Sequence, residues 1–178
     1  MIYENDVLIL RKPTIDDAEK VWNFRQEFID NDEVMCGDSS MKKYENYVDW
    51  LDKVSKDDNP EFLQVGRVLA TQFIAIRKSD NIVVGAVNVR HSLTDNLRIH
   101  GGHVGDCVRK SERGKGYGTM QIGLALQFCK DLGVDRALMS CVNTNIASER
   151  SIVKNGGILE NEVFADGEVY KRFWINLQ

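Results

Sequence analysis

Hydrophobic and polar positions change period several times along this chain, and each change marks an element. Val7 to Leu10 is a short apolar run that predicts a first strand. Thr14-Ile15-Asp16-Asp17 places a capping residue before acids in a first turn, which predicts a helix through about Phe28. The stretch from Asp30 to Ser40 is polar and carries Gly37, the mark of a loop. Met41 to about Val54 resumes helical spacing with Tyr44, Tyr47, Val48 and Leu51 on one face, and Asp57-Asp58-Asn59-Pro60 ends it.

The middle of the chain reads as β. Val68 to Ile76 and Ile82 to Val89 are strand-like, and Ser79-Asp80-Asn81 between them predicts a hairpin turn. A polar loop with Asp95 and Asn96 leads to Gly101-Gly102, and His103 to Val108 predicts a further strand. From Thr119 to Leu132 apolar residues cover most of a helix circumference, leaving a narrow polar line of Thr119, Gln127 and Lys130. Such a helix belongs in the middle of a fold, with Gly133 as its stop. Arg136 to Val142 predicts a strand and Asn145 to about Lys154 a short helix. The segments Ile158 to Ala165 and Glu168 to Leu177 flank Asp166-Gly167 as a hairpin. No repeat, linker or low-complexity segment interrupts the 178 residues, so one α+β domain over residues 1–178 is expected.

Composition narrows the function classes. A net charge of −4 with no basic run argues against nucleic acid as the main partner. Cys36, Cys107, Cys129 and Cys141 fit neither a C-x-x-C pair nor a zinc spacing, so no metal is expected and the thiols read as reduced core residues of a cytoplasmic protein. The polar start, Met1 to Asp6, is unlike a signal peptide, and no apolar run is long enough to span a bilayer; no membrane partner is expected.

The strongest chemical signal is Arg113-Gly114-Lys115-Gly116-Tyr117-Gly118-Thr119, between a strand and the long apolar helix. Glycines at a helix start let the backbone approach a ligand and aim unpaired N–H groups at it, and the helix dipole adds positive potential, so the segment suits phosphate. A Walker A loop needs G-x-x-x-x-G-K-[ST], and Lys115 is in the wrong register. A dinucleotide fingerprint needs G-x-G-x-x-G, whereas Gly114, Gly116 and Gly118 are spaced G-x-G-x-G.

The pattern that fits is [RQ]-x-x-G-x-[GA], carried by Arg113, Gly116 and Gly118, and it resembles the coenzyme A pyrophosphate loop of the GNAT superfamily of N-acetyltransferases. Cys107-Val108-Arg109 matches the strand end leading into that loop. Asn145-Ile146-Ala147-Ser148 is similar to the N-x-x-S that opens the next helix in the branch acetylating ribosomal-protein N-termini. Lys154 to Gly157 and Leu10 to Thr14 with Asp17 match the family's helix ending and N-terminal entry. The resemblance implies a mostly antiparallel sheet of about seven strands, splayed between strands 4 and 5 and flanked by about four helices. It also implies acetyl-coenzyme A as cosubstrate. Backbone groups near Val108 would then hold the pantetheine, and the amides of Arg113, Gly114, Lys115, Gly116 and Gly118 the pyrophosphate. The Thr119 hydroxyl and the Lys115 charge would assist, while Asn145 and Ser148 would contact the pantetheine arm. A homodimer is common in such a family.

The implied reaction is direct acetyl transfer from a thioester to a primary amine of a small molecule or a protein. The amine must arrive unprotonated, which asks for a base. Relatives begin the splay strand with a glutamate; His103 stands there and is the first base candidate, with His91 the second. Asp106 falls on the opposite strand face from His103. Many relatives carry a tyrosine, seven residues after the asparagine, to protonate the leaving thiolate. Here that position is Ile152, so Ser148 or water would have to serve. By the same resemblance, Trp22, Phe24, Arg25, Glu27, Glu33, Asp38, Tyr44, Trp50, Tyr170 and Trp174 are offered to the acceptor. The missing tyrosine and the histidine leave a second reading open, a coenzyme A-binding regulatory module without turnover. A nucleotide-binding protein is the third.

Overall fold

The computed structural model describes residues 1–178. Five antiparallel strands form one sheet in chain order: β1 (Ile2–Glu4), β2 (Leu8–Arg11), β3 (Ala70–Arg77), β4 (Val83–Arg90) and β5 (Val104–Val108). Three more form a second sheet in the order β6 (Arg136–Val142), β8 (Glu168–Asn176), β7 (Ile158–Ala165). The helices are α1 (Ala18–Asp30), α2 (Tyr47–Asp57), α3 (Asp95–Ile99), α4 (Tyr117–Asp131) and α5 (Ile146–Lys154). The expected splay separates β5 from β6, with β1 and α3 as additions to the expected strand and helix sets.

Two cores explain the layering. On one face α4 buries Ile122, Leu124, Ala125, Phe128 and Cys129 against Leu8, Leu10, Phe73, Val87, Val89, Met139 and Phe173, so one helix seals both sheets together. On the other face α1 and α2 bury Val21, Phe24, Phe28, Tyr47, Trp50 and Val54 against Ile74, Ile76, Val83 and Ala86. Each fully buried side chain of this size contributes about 1.5–3 kcal/mol. The entry to α1 is fixed by Asp17, whose carboxylate accepts from the Thr14 N–H at 2.8 Å and its hydroxyl at 2.9 Å and pairs with Arg11 at 2.7 Å. Burial penalises the Asp17 charge, but these partners outweigh it and hold the carboxyl well below its usual range.

Two sequence expectations are corrected here. The helix expected from Met41 begins at Tyr47: Met41–Lys43 is a separate 3₁₀ turn, and the Asn46 side chain caps α2 by accepting from the Asp49 N–H at 3.0 Å. Its buried face is accordingly Tyr47, Trp50 and Val54, while Val48 is exposed. The polar loop at Asp95 holds a short helix, because the Thr94 hydroxyl caps it through the Leu97 N–H at 3.3 Å.

Candidate active site

At the end of β5 the chain makes a 3₁₀ turn, Lys110–Glu112, and enters α4 through the glycine loop. Gly116 is the N-cap residue with φ +86°, a left-handed conformation that side chains resist, and an added Cβ would meet only Met120 Cε at 3.7 Å. The amides from Gly114 to Thr119 donate to no protein oxygen. They open outward at the positive end of the α4 dipole, as an anion cradle requires.

The side chains named from the sequence serve this cradle from behind. Lys115 Nζ turns back to Glu112 at 2.8 Å, and Glu112 is buried against Arg77 Nη1 at 2.6 Å. Arg77 also donates to the Tyr117 hydroxyl at 3.0 Å, so that phenol is structural. Arg113 Nε donates to the Val108 C=O at 3.0 Å, and its guanidinium pairs with Glu33 at 2.5 Å. The Thr119 hydroxyl donates to Ser151 Oγ at 3.2 Å, tying α4 to α5. The groups left without a protein partner at this helix start are backbone N–H groups, while the Lys115 and Thr119 side chains bond within the protein.

The two sheets part around a cleft of about 940 Å³ whose walls include Gly105 and Asp106 of β5 and Met139 to Val142 of β6. The His103 C=O accepts from Arg90 and the Arg109 N–H donates to Val84, so odd positions of β5 bond β4. By antiparallel alternation, the N–H and C=O of Asp106 and Val108 face the gap. Across it, Asn143 and Asp135 bond Val169 and Leu177, so Ser140 and Val142 of β6 turn theirs toward β5. The Val108 C=O is taken by Arg113 and the Val142 C=O by the Asn145 N–H at 2.8 Å. This leaves the N–H and C=O of Asp106 and Ser140 and the N–H groups of Val108 and Val142 facing each other without a backbone partner, a geometry suited to an extended chain with alternating amides. Asn145 and Ser148 lie on the same wall, where the Asn145 side chain caps α5 by accepting from the Ser148 N–H at 3.1 Å. Ile152 is fully buried and offers no proton.

His103 occupies the base of the splay and is reassigned. Its N–H donates to the Leu138 C=O at 2.7 Å, and its Nδ1 accepts from the Leu138 N–H at 2.9 Å. The lone pair a base would use is occupied, and the ring does not line the cleft. Burial, then the Arg98 and Arg90 charges, push its pKa down to about 4 against the Leu138 contact. His103 is a clasp between the sheets. His91 is also set apart from the cleft, bonded to the Thr71 hydroxyl at 2.8 Å and packed edge-on to Phe128. His103→Ala should cost about 1–3 kcal/mol at pH 7 by orphaning the Leu138 N–H. Because the folded pKa lies below the usual 6.5, this contribution is complete above pH 6.5 and declines toward pH 4. Urea unfolding of wild type and variant should therefore converge as pH falls through that window; a constant difference would contradict the clasp.

The acid that does line the gap is the half-buried Asp106. Its side chain points to α4, where Oδ2 accepts from Gln121 Nε2 at 2.8 Å, and no cation pairs with it. Burial pushes its pKa up to about 6, partly opposed by Gln121. A carboxylate still ionised at neutral pH but close to titrating is suited to proton transfer. Alternation along β5 turns Asp106 away from His103, and its seat under α4 beside Gln121 has no local sequence signal. Of the acceptor candidates, Asp38 and Tyr170 line the cleft. Phe24 and Trp50 are core, while Glu27 and Glu33 are held by Arg109 and Arg113.

A family model described as an acetyltransferase (GNAT) domain matches residues 7–158. Among solved structures, the ribosomal-protein-S5-alanine acetyltransferase of Vibrio fischeri is similar over 100% of this chain and 97% of its own, with TM-score 0.70 and 16% identity. The microcin C7 self-immunity acetyltransferase MccE, solved with acetyl-CoA and AMP, is similar over 97% and 93%, with TM-score 0.69 and 19% identity. RimL, a ribosomal L7/L12 alpha-N-protein acetyltransferase solved with coenzyme A, is similar over 99% and 98%, with TM-score 0.68 and 13% identity. No curated protein matches the chain. No helix is long and apolar enough to cross a membrane. A match spanning most of the chain, on a fold with the splay and cradle in place, makes this protein a member of the GNAT acetyltransferase family.

Proposed function

We propose that this protein transfers an acetyl group from acetyl-coenzyme A to a primary amine bound in the cleft between β5 and β6. The observation that carries the reading is the Gly114–Thr119 amide cradle, reached directly from the end of β5, the strand whose outer edge is parted from β6. The cradle takes the pyrophosphate, and the edge groups of Asp106 and Ser140 with the N–H groups of Val108 and Val142 take the pantetheine amides. Asn145 and Ser148 contact the arm from the start of α5. The acetyl-coenzyme A complex of MccE and the coenzyme A complex of RimL support this placement by analogy of fold.

In the reaction the amine nitrogen attacks the thioester carbon, the C–S bond breaks, and the nitrogen gives up a proton as the amide forms. Asp106 accepts that proton, directly or through water, in the role that His103 cannot fill. A β5 amide aimed into the gap stabilises the developing oxyanion. The thiolate takes its proton from the Ser148 hydroxyl or from water. Thiol release from acetyl-coenzyme A, followed across a panel of amino acids, polyamines, aminoglycosides and peptides, tests the reading. Release that depends on one class of amine is expected. Tight coenzyme A binding with no release on any amine would instead make this a coenzyme A-binding regulatory module.

A further inference from the structure

Arg90, the last residue of β4, lines the cleft on the face opposite α4, and nothing in the transfer reaction described so far uses it. Its Nη1 donates to the C=O groups of Gly101 at 3.1 Å and Gly102 at 3.2 Å. Nη2 and Nε find no protein acceptor, and no carboxylate pairs with the guanidinium. The group lies across Gly105: a Cβ there would come within 3.4 Å of both Nη1 and Nη2, and of the Gly37 Cα. The side chain is thus held between β5 and the loop before α2, in a slot that glycine leaves open.

The half-buried guanidinium has no counter-ion, and its unpartnered nitrogens open to the cleft. Its immediate surroundings add no compensation. His103 and Arg98 stand on the same side, and burial lowers the Arg90 pKa with only the Cys36 thiol opposing. The acids on the cleft wall are turned elsewhere, Asp38 to the Ser40 N–H at 3.2 Å and Asp106 to Gln121. A fixed, partly satisfied guanidinium with a free planar edge matches the geometry of carboxylate and phosphate oxygens.

We propose that Arg90 binds an anionic oxygen group of the acceptor, a carboxylate or a phosphate, so that the acceptors are small amines bearing such a group close to the nucleophilic nitrogen. Arg90 and Asp106 line the same cleft, Arg90 on the face that Gly105 leaves open, so an acceptor whose anion meets Arg90 is held with its amine toward the gap beside β5. This rests on the acetyl-transfer reading of the cleft, and its test includes an arm that needs no turnover.

With coenzyme A saturating, calorimetric titrations compare N-acetyl-L-alanine with N-acetyl-L-alaninamide, and O-phosphoethanolamine with ethanolamine. The charged member of one pair is expected to bind about tenfold or more tightly, and which pair responds separates carboxylate from phosphate. Arg90→Gln should erase the preference while leaving coenzyme A affinity intact. Arg90→Lys should keep part of it, which separates loss of charge from loss of fold. In the kinetic arm, Arg90→Gln should raise KM for the charged amine and leave the neutral one unchanged. Equal affinity for charged and neutral probes in both pairs, or a preference that survives Arg90→Gln, would overturn the proposal. Absence of thiol release with every amine would count against acetyl transfer, while the titrations still decide the role of Arg90.

Discussion

Asp106→Asn is expected to lower kcat/KM for acetyl transfer by about a hundredfold or more, the range lost with a general base. The substitution is isosteric and keeps an oxygen for the Gln121 amide, so the cleft wall stays in place. The pH profile provides the specific readout. In the wild type, Asp106 is ionised above about pH 6 and protonated below it, so kcat/KM should fall as pH drops through 6. The variant should lose that limb while its coenzyme A affinity stays nearly unchanged. A variant that keeps both the rate and the acid limb would remove Asp106 as the base. Stability should move the other way. The folded pKa is raised, so ionising this carboxyl lowers wild-type stability as pH rises from about 4 to 6, and Asn escapes this cost.

Gly116→Val is expected to weaken coenzyme A binding by about tenfold to a hundredfold. At φ +86° a β-branched residue is strained by about 1–3 kcal/mol, and relief of that strain turns the neighbouring amides away from the phosphates. Gly133→Val at the other end of α4 is the control. It has the same sign of φ, +80°, with open space around it, and no part in the cradle. Both variants should lose stability in urea, and only Gly116→Val should lose coenzyme A affinity by calorimetry. Equal losses of affinity would mean that the effect travels through the helix and not through the loop.

The fold and the cradle were legible because their signals are local. Strand periods, the Asp166-Gly167 turn and the glycine spacing before an apolar helix each depend on a few adjacent residues. Ile2–Glu4 escaped notice because three residues carry no period, and its strand exists only by pairing with β2. The Met41 region misled because its apolar spacing runs across Asn46, where a cap restarts the helix. The surroundings of His103 and Asp106 were not legible for a different reason. His103 is disarmed by Leu138, and Asp106 gains its raised pKa under α4 beside Gln121, contacts that only the packed sheets create. Arg113 and Lys115 show the same limit in milder form. Their place in the motif is read from the sequence, but Glu33 and Glu112 decide where their charges point.

The central claim is that coenzyme A lies between the two sheets with its pyrophosphate on the α4 cradle. Titration of ¹⁵N-labelled protein with coenzyme A, followed through the backbone amide spectrum, tests it most directly. The account predicts the largest shifts at Gly114 to Thr119 and at Asp106, Val108, Ser140 and Val142, with ATP and NAD producing no comparable pattern. Shifts centred away from both the cradle and the facing strand edges would contradict it.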